Sequence, residues 1–307
     1  MFDTALISSA LRLSAPLTFA ATGGLYSERA GIVNIALEGL MLFGAFAAAV
    51  VAYYTGNPWL GLLAACITST FFALIHGIFC IFFRGDQIIS GFAINILALG
   101  ITPVFSNAVF GTQSITPVIK NTIPTFSPSF LSGIPFFGDI LSQTPVLVWV
   151  SFIFVFLTIF IFNRTVFGLR LDAAGENPAA LDSVGVSVTK YRLSGVLISG
   201  LLCGFGGAYI SIAQGTQFII NMTAGRGYIA LAALILANWK PRNILFACLF
   251  FGLADAFQIR LQGKGIIPAE IVQILPYVIA IIMLIGIINR PRPPAGLGIP
   301  YFLGKKK

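Results

Sequence analysis

The stretch that decides the fold of this chain is GIVNIALEGLML, residues 31–42, together with a second copy, GRGYIALAALIL, at residues 225–236. The two copies match at six positions without a gap, and each begins with a glycine at the start of an apolar run. Glycine weakens a helix, so each copy predicts a helix that is interrupted and then restarts. The predicted helix breaks are Gly31, Gly225 and Gly227.

The composition indicates that lipid, not water, surrounds most of the chain. Of its 307 residues, 57% are hydrophobic and 9% are charged, and the mean hydropathy is +0.95. A soluble domain carries about 25% charged residues, so this chain lacks the polar surface that a water-soluble fold needs. The net charge of +8 does not indicate nucleic-acid binding, because the basic residues are scattered between apolar runs.

The apolar runs predict one transmembrane domain, residues 1–307, that is an all-α bundle of about nine helices, within a range of eight to ten. A helix needs about 20 apolar residues to cross about 30 Å of hydrocarbon. The segments that reach or approach this length are 5–25, 36–54, 59–83, 87–108, 145–163, 193–213, 225–238, 243–260 and 266–288. The seventh segment is the shortest of them.

The distribution of Lys and Arg predicts a cytoplasmic C-terminus. With the N-terminus outside, 13 of the 18 basic residues fall in inside connections, as cytoplasmic loops of membrane proteins require. This topology makes residues 109–144 an extracytoplasmic surface loop and residues 164–192 a cytoplasmic loop. It also predicts a multi-pass protein of the bacterial plasma (inner) membrane.

In this topology the two copies of the repeat run in opposite directions, which predicts an inverted repeat. Inverted repeats are common in membrane transporters, where interrupted helices at matching positions flank the substrate route. Polar side chains at membrane depth are costly unless they serve such a route or a partner. The residues predicted to line the translocation pathway are Asn34, Glu38, Asn95 and Tyr228.

Catalytic and metal-binding chemistry has no support in the sequence. The four cysteines lie singly in apolar stretches without a CxxC or Cys/His spacing, so we expect small core side chains and no metal site. The chain has no GxxxxGK[ST] phosphate loop and no convergent set of catalytic groups. We therefore expect no enzymatic activity and no cofactor.

The inside loop contains helix signals that a simple connection would not need. Asn177 is a good helix N-cap, Pro178 suits the first helical position, and Gly185 can end a helix. The loop therefore predicts one or two short helices with an apolar face that docks on a partner or on the lipid surface.

Two stretches resemble the ATP-binding-cassette permeases of the ribose, branched-chain amino acid and nucleoside superfamily. GENPAA at residues 175–180, followed by Gly185, is similar to the coupling loop of these permeases. LTFAATGGLYSERAGIVNIALEG at residues 17–39 looks like the signature of the nucleoside and simple-sugar branch, and Pro276 with Tyr277 also fits. Asp172 departs from the pattern, in which a basic residue is expected.

The resemblance implies a permease subunit of an importer that is powered by another chain. A cytoplasmic ATPase would dock on the coupling loop, a second permease subunit (a related chain or a copy of this one) would complete the path, and an extracytoplasmic binding protein would deliver the substrate. The implied substrates are nucleosides, with ribose- or galactose-type sugars as the alternative. The residues implied to couple to the ATPase are Gly175, Glu176, Asn177, Pro178, Ala179, Ala180 and Gly185.

The main rival hypothesis is a self-sufficient secondary transporter driven by an ion gradient. Such a protein needs a group that binds the coupling ion, and the candidates are Glu38, His76, Asp255 and Glu270. The organised inside loop favours the ATP-driven importer over this rival.

Overall fold

A computed structural model of the chain describes residues 4–125, 144–263, 268–275, 277–279, 281–282 and 292–302. Within these ranges the regular structure is helical, apart from two isolated β-bridges. In chain order the helices are α1 (Thr4–Arg29), α2 (Leu37–Thr55), α3 (Pro58–Gly77), α4 (Gln87–Phe110), α5 (Val146–Arg164), α6 (Val166–Glu176), α7 (Pro178–Ser183), α8 (Val188–Ala208), α9 (Arg226–Leu236), α10 (Pro241–Gly263) and α11 (Ala269–Gln273). A π-helical turn extends α3 to Phe82 and another extends α8 to Gln214.

The membrane-spanning helices confirm the predicted class, a polytopic helical bundle. Seven helices in the described part of the chain, α1 to α5, α8 and α10, are long and apolar enough to cross a membrane. The prediction of about nine spans needs a correction at its seventh segment, because α9 has 11 residues and is about 16 Å long, half of the hydrocarbon thickness. The ninth predicted segment, 266–288, lies partly outside the described residues. The side of the membrane on which the C-terminus lies stays a prediction.

The centre of the bundle is α8, which packs against α1, α2 and α3. One face of α8 consists of small residues. A Cβ atom added at Gly200 would lie 2.5 Å from Cβ of Ala73 on α3, and one added at Gly207 would overlap the carbonyl oxygen of Met41 on α2. The small-residue face therefore lets the neighbouring helices approach closely.

The first helix break is a buried, irregular segment between the end of α1 and the start of α2, residues 30–36. Its backbone groups are bonded by polar side chains of α3 and α4. The N–H of Val33 donates to Oε1 of Gln87 (2.7 Å), and Nε2 of His76 lies 3.2 Å from the carbonyl oxygen of Val33. These side chains stand in for the hydrogen bonds that a continuous helix would supply in an apolar interior.

The long connection between α4 and α5 is ordered where the structure describes it, at residues 111–125 and 144–145. It runs beside the segment that follows α8: the N–H of Ile119 donates to the carbonyl of Thr216 (2.7 Å), and that of Ile123 donates to the carbonyl of Ile212 (2.8 Å). The remainder of the predicted surface loop, 126–143, lies outside the described residues.

Two glycine-to-alanine substitutions test the close packing of α8, one on its small-residue face and one at an open position of α4. We expect Gly207→Ala to destabilise the bundle by about 1–3 kcal/mol, because the new methyl group overlaps backbone that cannot rotate away. Gly100→Ala in α4 should be neutral or slightly stabilising, because no atom lies within 4 Å of the added Cβ and alanine favours a helix. Thermal unfolding of both variants in detergent checks this expectation, and equal melting temperatures would contradict it.

Candidate functional site

The two predicted helix breaks meet at the carboxylate of Glu38. This side chain belongs to the first turn of α2 and is buried, with 5% of its surface exposed. Its Oε1 accepts hydrogen bonds from Oγ1 of Thr223 (2.6 Å) and from the N–H of Gly225 (2.8 Å), while its Oε2 accepts from the N–H of Gly227 (2.6 Å). The first N–H groups of a helix have no partner within the helix, and its N-terminus favours negative charge. Glu38 therefore caps α9 from a different helix.

The three predicted break residues have different roles in the structure. Gly31 and Gly225 have positive φ angles of 93° and 82°, a conformation that residues with a side chain rarely adopt. Gly227 is not part of a break, because it lies in the first turn of α9. A Cβ atom there would overlap the backbone of Glu38, so this glycine serves the close approach of α2 and α9.

The two breaks also differ in length, although the sequences that encode them align. The first leaves residues 30–36 outside a helix, whereas α9 starts directly after Gly225. The breaks differ in length because different groups supply hydrogen bonds to their backbones. Side chains of α3 and α4 bond an extended segment at the first break, and one carboxylate bonds the N–H groups of a helix start at the second.

Asn95 and Tyr228 extend the Glu38 network. Oδ1 of Asn95 accepts from the N–H of Gly39 (2.8 Å), and its Nδ2 donates to the carbonyl of Ile35 (3.0 Å) and to the hydroxyl of Tyr228 (2.9 Å). Three of the four predicted pathway residues thus lie in one group at the meeting point of α2, α4 and α9. Tyr228 is the exposed member of the four, with 40% of its surface accessible.

Asn34, the fourth predicted pathway residue, lies apart from this network. Its Nδ2 donates to Oγ of Ser199 on α8 (2.8 Å), and its Oδ1 is buried without a hydrogen-bond partner in the described part of the chain. The side chain ties the first break to the central helix. Whether Asn34, Glu38 and Asn95 line a substrate route stays a prediction, and their hydrogen bonds hold the breaks in this conformation.

Residues 164–192, the predicted inside loop, contain two short helices, α6 and α7, as the sequence predicted. Oδ1 of Asn177 accepts a hydrogen bond from the N–H of Ala180 (3.1 Å), Pro178 occupies the first turn of α7, and Gly185 ends the unit with a φ of 74°. On the outer side of this unit Ala179, Ala180 and Val184 are exposed, and Val184 has 71% of its surface accessible.

The loop is attached directly to the first break. The carbonyl of Gly175, near the end of α6, accepts from the N–H of Gly296 (2.7 Å), and a Cβ atom at Gly175 would overlap the backbone of Arg29. Asp172 forms an ion pair of 2.6 Å with Arg29, whose guanidinium also lies over the ring of Phe162. Residues 164–192, the predicted coupling loop, therefore form one unit with the end of α1.

Asp172, where the resemblance leads us to expect a basic residue, forms an ion pair with Arg29 at the end of α1. Burial raises the pKa of Asp172 to about 6, although the Arg29 guanidinium acts in the opposite direction. The carboxylate is therefore mainly ionised at pH 7, so the ion pair is present. The charge is paired with Arg29 and so attaches the loop to α1, while 25% of the Asp172 side chain is exposed.

Two contacts around the end of α1 and the predicted coupling loop could not be foreseen from the sequence. Residues 292–302 lie over the coupling loop: the N–H of Gly298 donates to the carbonyl of Gly31 (3.2 Å), and the N–H of Ala295 donates to Oε2 of Glu176 (3.1 Å). The Pro and Gly content of this segment gave a signal for an ordered turn, but nothing indicated its partner.

The second missed feature is Trp239, in the turn between α9 and α10. Its Nε1 donates to Oε2 of Glu28, which is buried at the end of α1 (2.6 Å). Trp239 has a positive φ of 52°, as does its neighbour Asn238 at 53°. The bond ties the end of α9 to the same point of α1 that holds the coupling loop.

Comparison with known proteins gives one consistent result. The family model described as branched-chain amino acid transport system / permease component matches residues 6–285. No solved structure matches the chain.

Three curated relatives match most of the chain. The guanosine ABC transporter permease protein NupQ of Bacillus subtilis is 39% identical, over 98% of this chain and 97% of its own length. The nucleoside ABC transporter permease protein NupC of Lactococcus lactis is 35% identical, over 98% and 97%. The putative glucose ABC transporter permease protein TsgC13 of Haloferax volcanii is 34% identical, over 86% and 80%. The chain belongs to the permease-component family of the branched-chain amino acid transport systems.

Proposed function

We propose that this chain is the transmembrane permease subunit of an ATP-driven importer of nucleosides. The observation that carries the proposal is the coupling loop, in which α6 and α7 expose an apolar face while their inner side is fixed to the first helix break. The named substrates of two relatives, guanosine and nucleosides, support the choice of cargo. ATP hydrolysis belongs to a separate subunit, because the chain contains no phosphate loop.

The docking surface for this ATPase is the exposed side of the coupling loop. Glu176, Asn177, Ala179 and Ala180 are exposed there, and Val184 lies beside them. An apolar patch with a polar rim is typical of a protein interface. Gly175 and Gly185 shape the loop from behind and at its end, so they act on docking through its conformation.

The contacts in the structure form a continuous route for the movement of the loop. A displacement of α6 acts on the end of α1 through the Arg29–Asp172 pair and through Gly175. From there the buried segment 30–36 leads to Glu38, which holds the start of α9. Closure of the ATPase would thus change the relation of α2 to α9, as alternating access requires.

The complete importer in this proposal contains further chains. A second permease subunit, a related chain or another copy of this one, completes the path, and an extracytoplasmic binding protein supplies the substrate. The inside loop, residues 164–192, faces the cytoplasm, and the connection 109–144 faces the binding protein.

Two alternatives are weaker. A simple sugar as cargo is favoured by the glucose permease among the relatives, which is less similar than the guanosine permease. A gradient-driven transporter needs a group that exchanges an ion with water. Glu38 and His76 are buried and hydrogen-bonded, which leaves Asp255, at the wall of a cavity, as the candidate among the described side chains.

The docking surface can be tested without disturbing the caps of α7. We expect Val184→Glu to lower co-purification of the ATPase about tenfold, because it places a charge in the apolar face. The matched control is Val118→Glu, a valine of similar exposure (61% against 71%) in the predicted extracytoplasmic connection. Unchanged ATPase binding by the Val184 variant would contradict the proposed docking surface.

The Glu38 cap can be tested against another carboxylate at a helix start. We expect Glu38→Gln to destabilise the chain by about 2 kcal/mol and to lower transport, because an amide cannot accept all three buried hydrogen bonds. Asp86→Asn is the control, because Asp86 is an exposed N-cap of α4 and asparagine caps equally well. Equal thermal stability and equal transport in the two variants would overturn the assigned role.

The source of energy can be tested in vesicles. The complete complex should import radiolabelled guanosine when ATP is present on the ATPase side, and the chain alone should not do so under a proton or sodium gradient. Uptake by the chain alone would favour the secondary transporter, whereas uptake of glucose and not of nucleosides by the complex would favour the sugar alternative.

A further inference from the structure

A polar cavity lies beside the second helix break, outside the network described above. Its volume is about 380 Å³, within the range of small-molecule sites, and it lies between α1, α9, α10 and the segment after α11. Six of its ten lining residues are polar: Arg226, Asp255, Gln258, Gln262, Gln273 and Tyr277. A cavity of this composition in a chain that is 57% hydrophobic needs a physical explanation.

Asp255 is the buried acid of this cavity. It belongs to α10, one of the membrane-scale helices, and 8% of its surface is exposed. Among the described residues no donor is placed within hydrogen-bond distance of its carboxylate, and no ion pair within 4 Å is formed with Arg226 across the cavity. Its oxygens are not among the fully buried polar atoms without a partner, so the carboxylate opens onto the cavity, in contrast to Glu38, which accepts three hydrogen bonds from its own chain.

Two amides in the same cavity are also available for a ligand. Gln258 lies one turn after Asp255 on α10 and is half-buried, and Gln273 approaches from the end of α11. In the described ranges neither amide forms a hydrogen bond. Each amide offers a carbonyl acceptor and an NH₂ donor, so the pair can bind a molecule that carries both kinds of group.

The cavity adjoins the start of α9, which Glu38 connects to segment 30–36 and so to the predicted coupling loop. Tyr277, on its wall, donates a hydrogen bond to the carbonyl of Ala224 (3.4 Å), and its hydroxyl lies beside Gly225. Gly225 is held by Glu38 on its other side (2.8 Å). A ligand in the cavity would therefore rest against the segment that a movement of α2 relative to α9 displaces.

We propose that this cavity is a transit site for the imported nucleoside, in which Asp255 accepts hydrogen bonds from the substrate while Gln258 and Gln273 bind its remaining polar edge. The inference rests on the proposed function and adds the binding groups. One acid, one base and three amides line the cavity, which suits a neutral ligand with several donors and acceptors better than an ion. In a nucleoside both the ribose hydroxyls and the N–H groups of the base can donate to Asp255.

The first test measures substrate preference, which a purely structural residue would not change. Uptake of guanosine, 2′,3′-dideoxyguanosine and inosine is measured with the complete importer that carries Asp255→Asn or Gln258→Leu. We expect the preference for guanosine over one of the analogues to fall about tenfold. Loss of discrimination against the dideoxy compound assigns the ribose as the donor, and loss against inosine assigns the 2-amino group of the base. The control is Gln113→Leu, an exposed glutamine outside the cavity.

The second test reads occupancy directly and remains informative if a variant fails to transport. The four native cysteines are free and buried, so a single Gln258→Cys substitution supplies the reactive thiol. Saturating guanosine together with the binding protein should slow maleimide labelling of this thiol about tenfold. Labelling at Gln113→Cys should not change.

The outcomes separate the two proposals. If the wild-type importer carries no nucleoside, the proposed function fails. If it carries nucleosides but both variants keep the wild-type preference and guanosine does not protect Gln258→Cys, the transit site is wrong and the proposed function stands.

Discussion

The structure depends on one constraint: a helix that is interrupted inside an apolar bundle leaves backbone N–H and C=O groups that water cannot reach. Glu38 meets this constraint at the start of α9 with three hydrogen bonds of 2.6–2.8 Å. Charge-assisted bonds in a dry environment are among the strongest that a side chain can make. Because the carboxylate belongs to α2, the same contacts that satisfy α9 also join the two helices in this conformation, and a movement of α2 relative to α9 has to break or exchange them.

The second determinant is the close packing around α8. Glycines on its surface bring the backbones of α2 and α3 into contact, which leaves little freedom for these helices to move separately. Movement is therefore expected where packing is replaced by specific polar contacts, at segment 30–36 and at the start of α9. The coupling loop is attached at the first of these places, and the polar cavity adjoins the second.

Two buried carboxylates in this chain illustrate how environment separates a structural role from a ligand-binding one. Glu38 is saturated with donors from its own chain, whereas Asp255 faces a cavity without such donors in the described residues. Both were equivalent candidates for an ion-binding group in the sequence, since both are single acids in apolar segments. The difference lies in neighbours that are distant along the chain: Glu38 is 185 to 189 residues from its three partners.

The sequence by itself determined the class of fold, the approximate places of the seven long helices, the breaks at Gly31 and Gly225, and the caps of the predicted coupling loop. Each of these depends on hydrophobicity or backbone preference over a few residues. It also predicted Glu38, Asn95 and Tyr228 as functional, since polar groups in apolar runs are conspicuous. Only the tertiary structure decided that the two breaks bond to each other, that Asp172 serves Arg29, that residues 292–302 cover the coupling loop, and that Trp239 binds Glu28. The local pattern could not fix these contacts, because each one joins segments that meet only when the helices pack around α8.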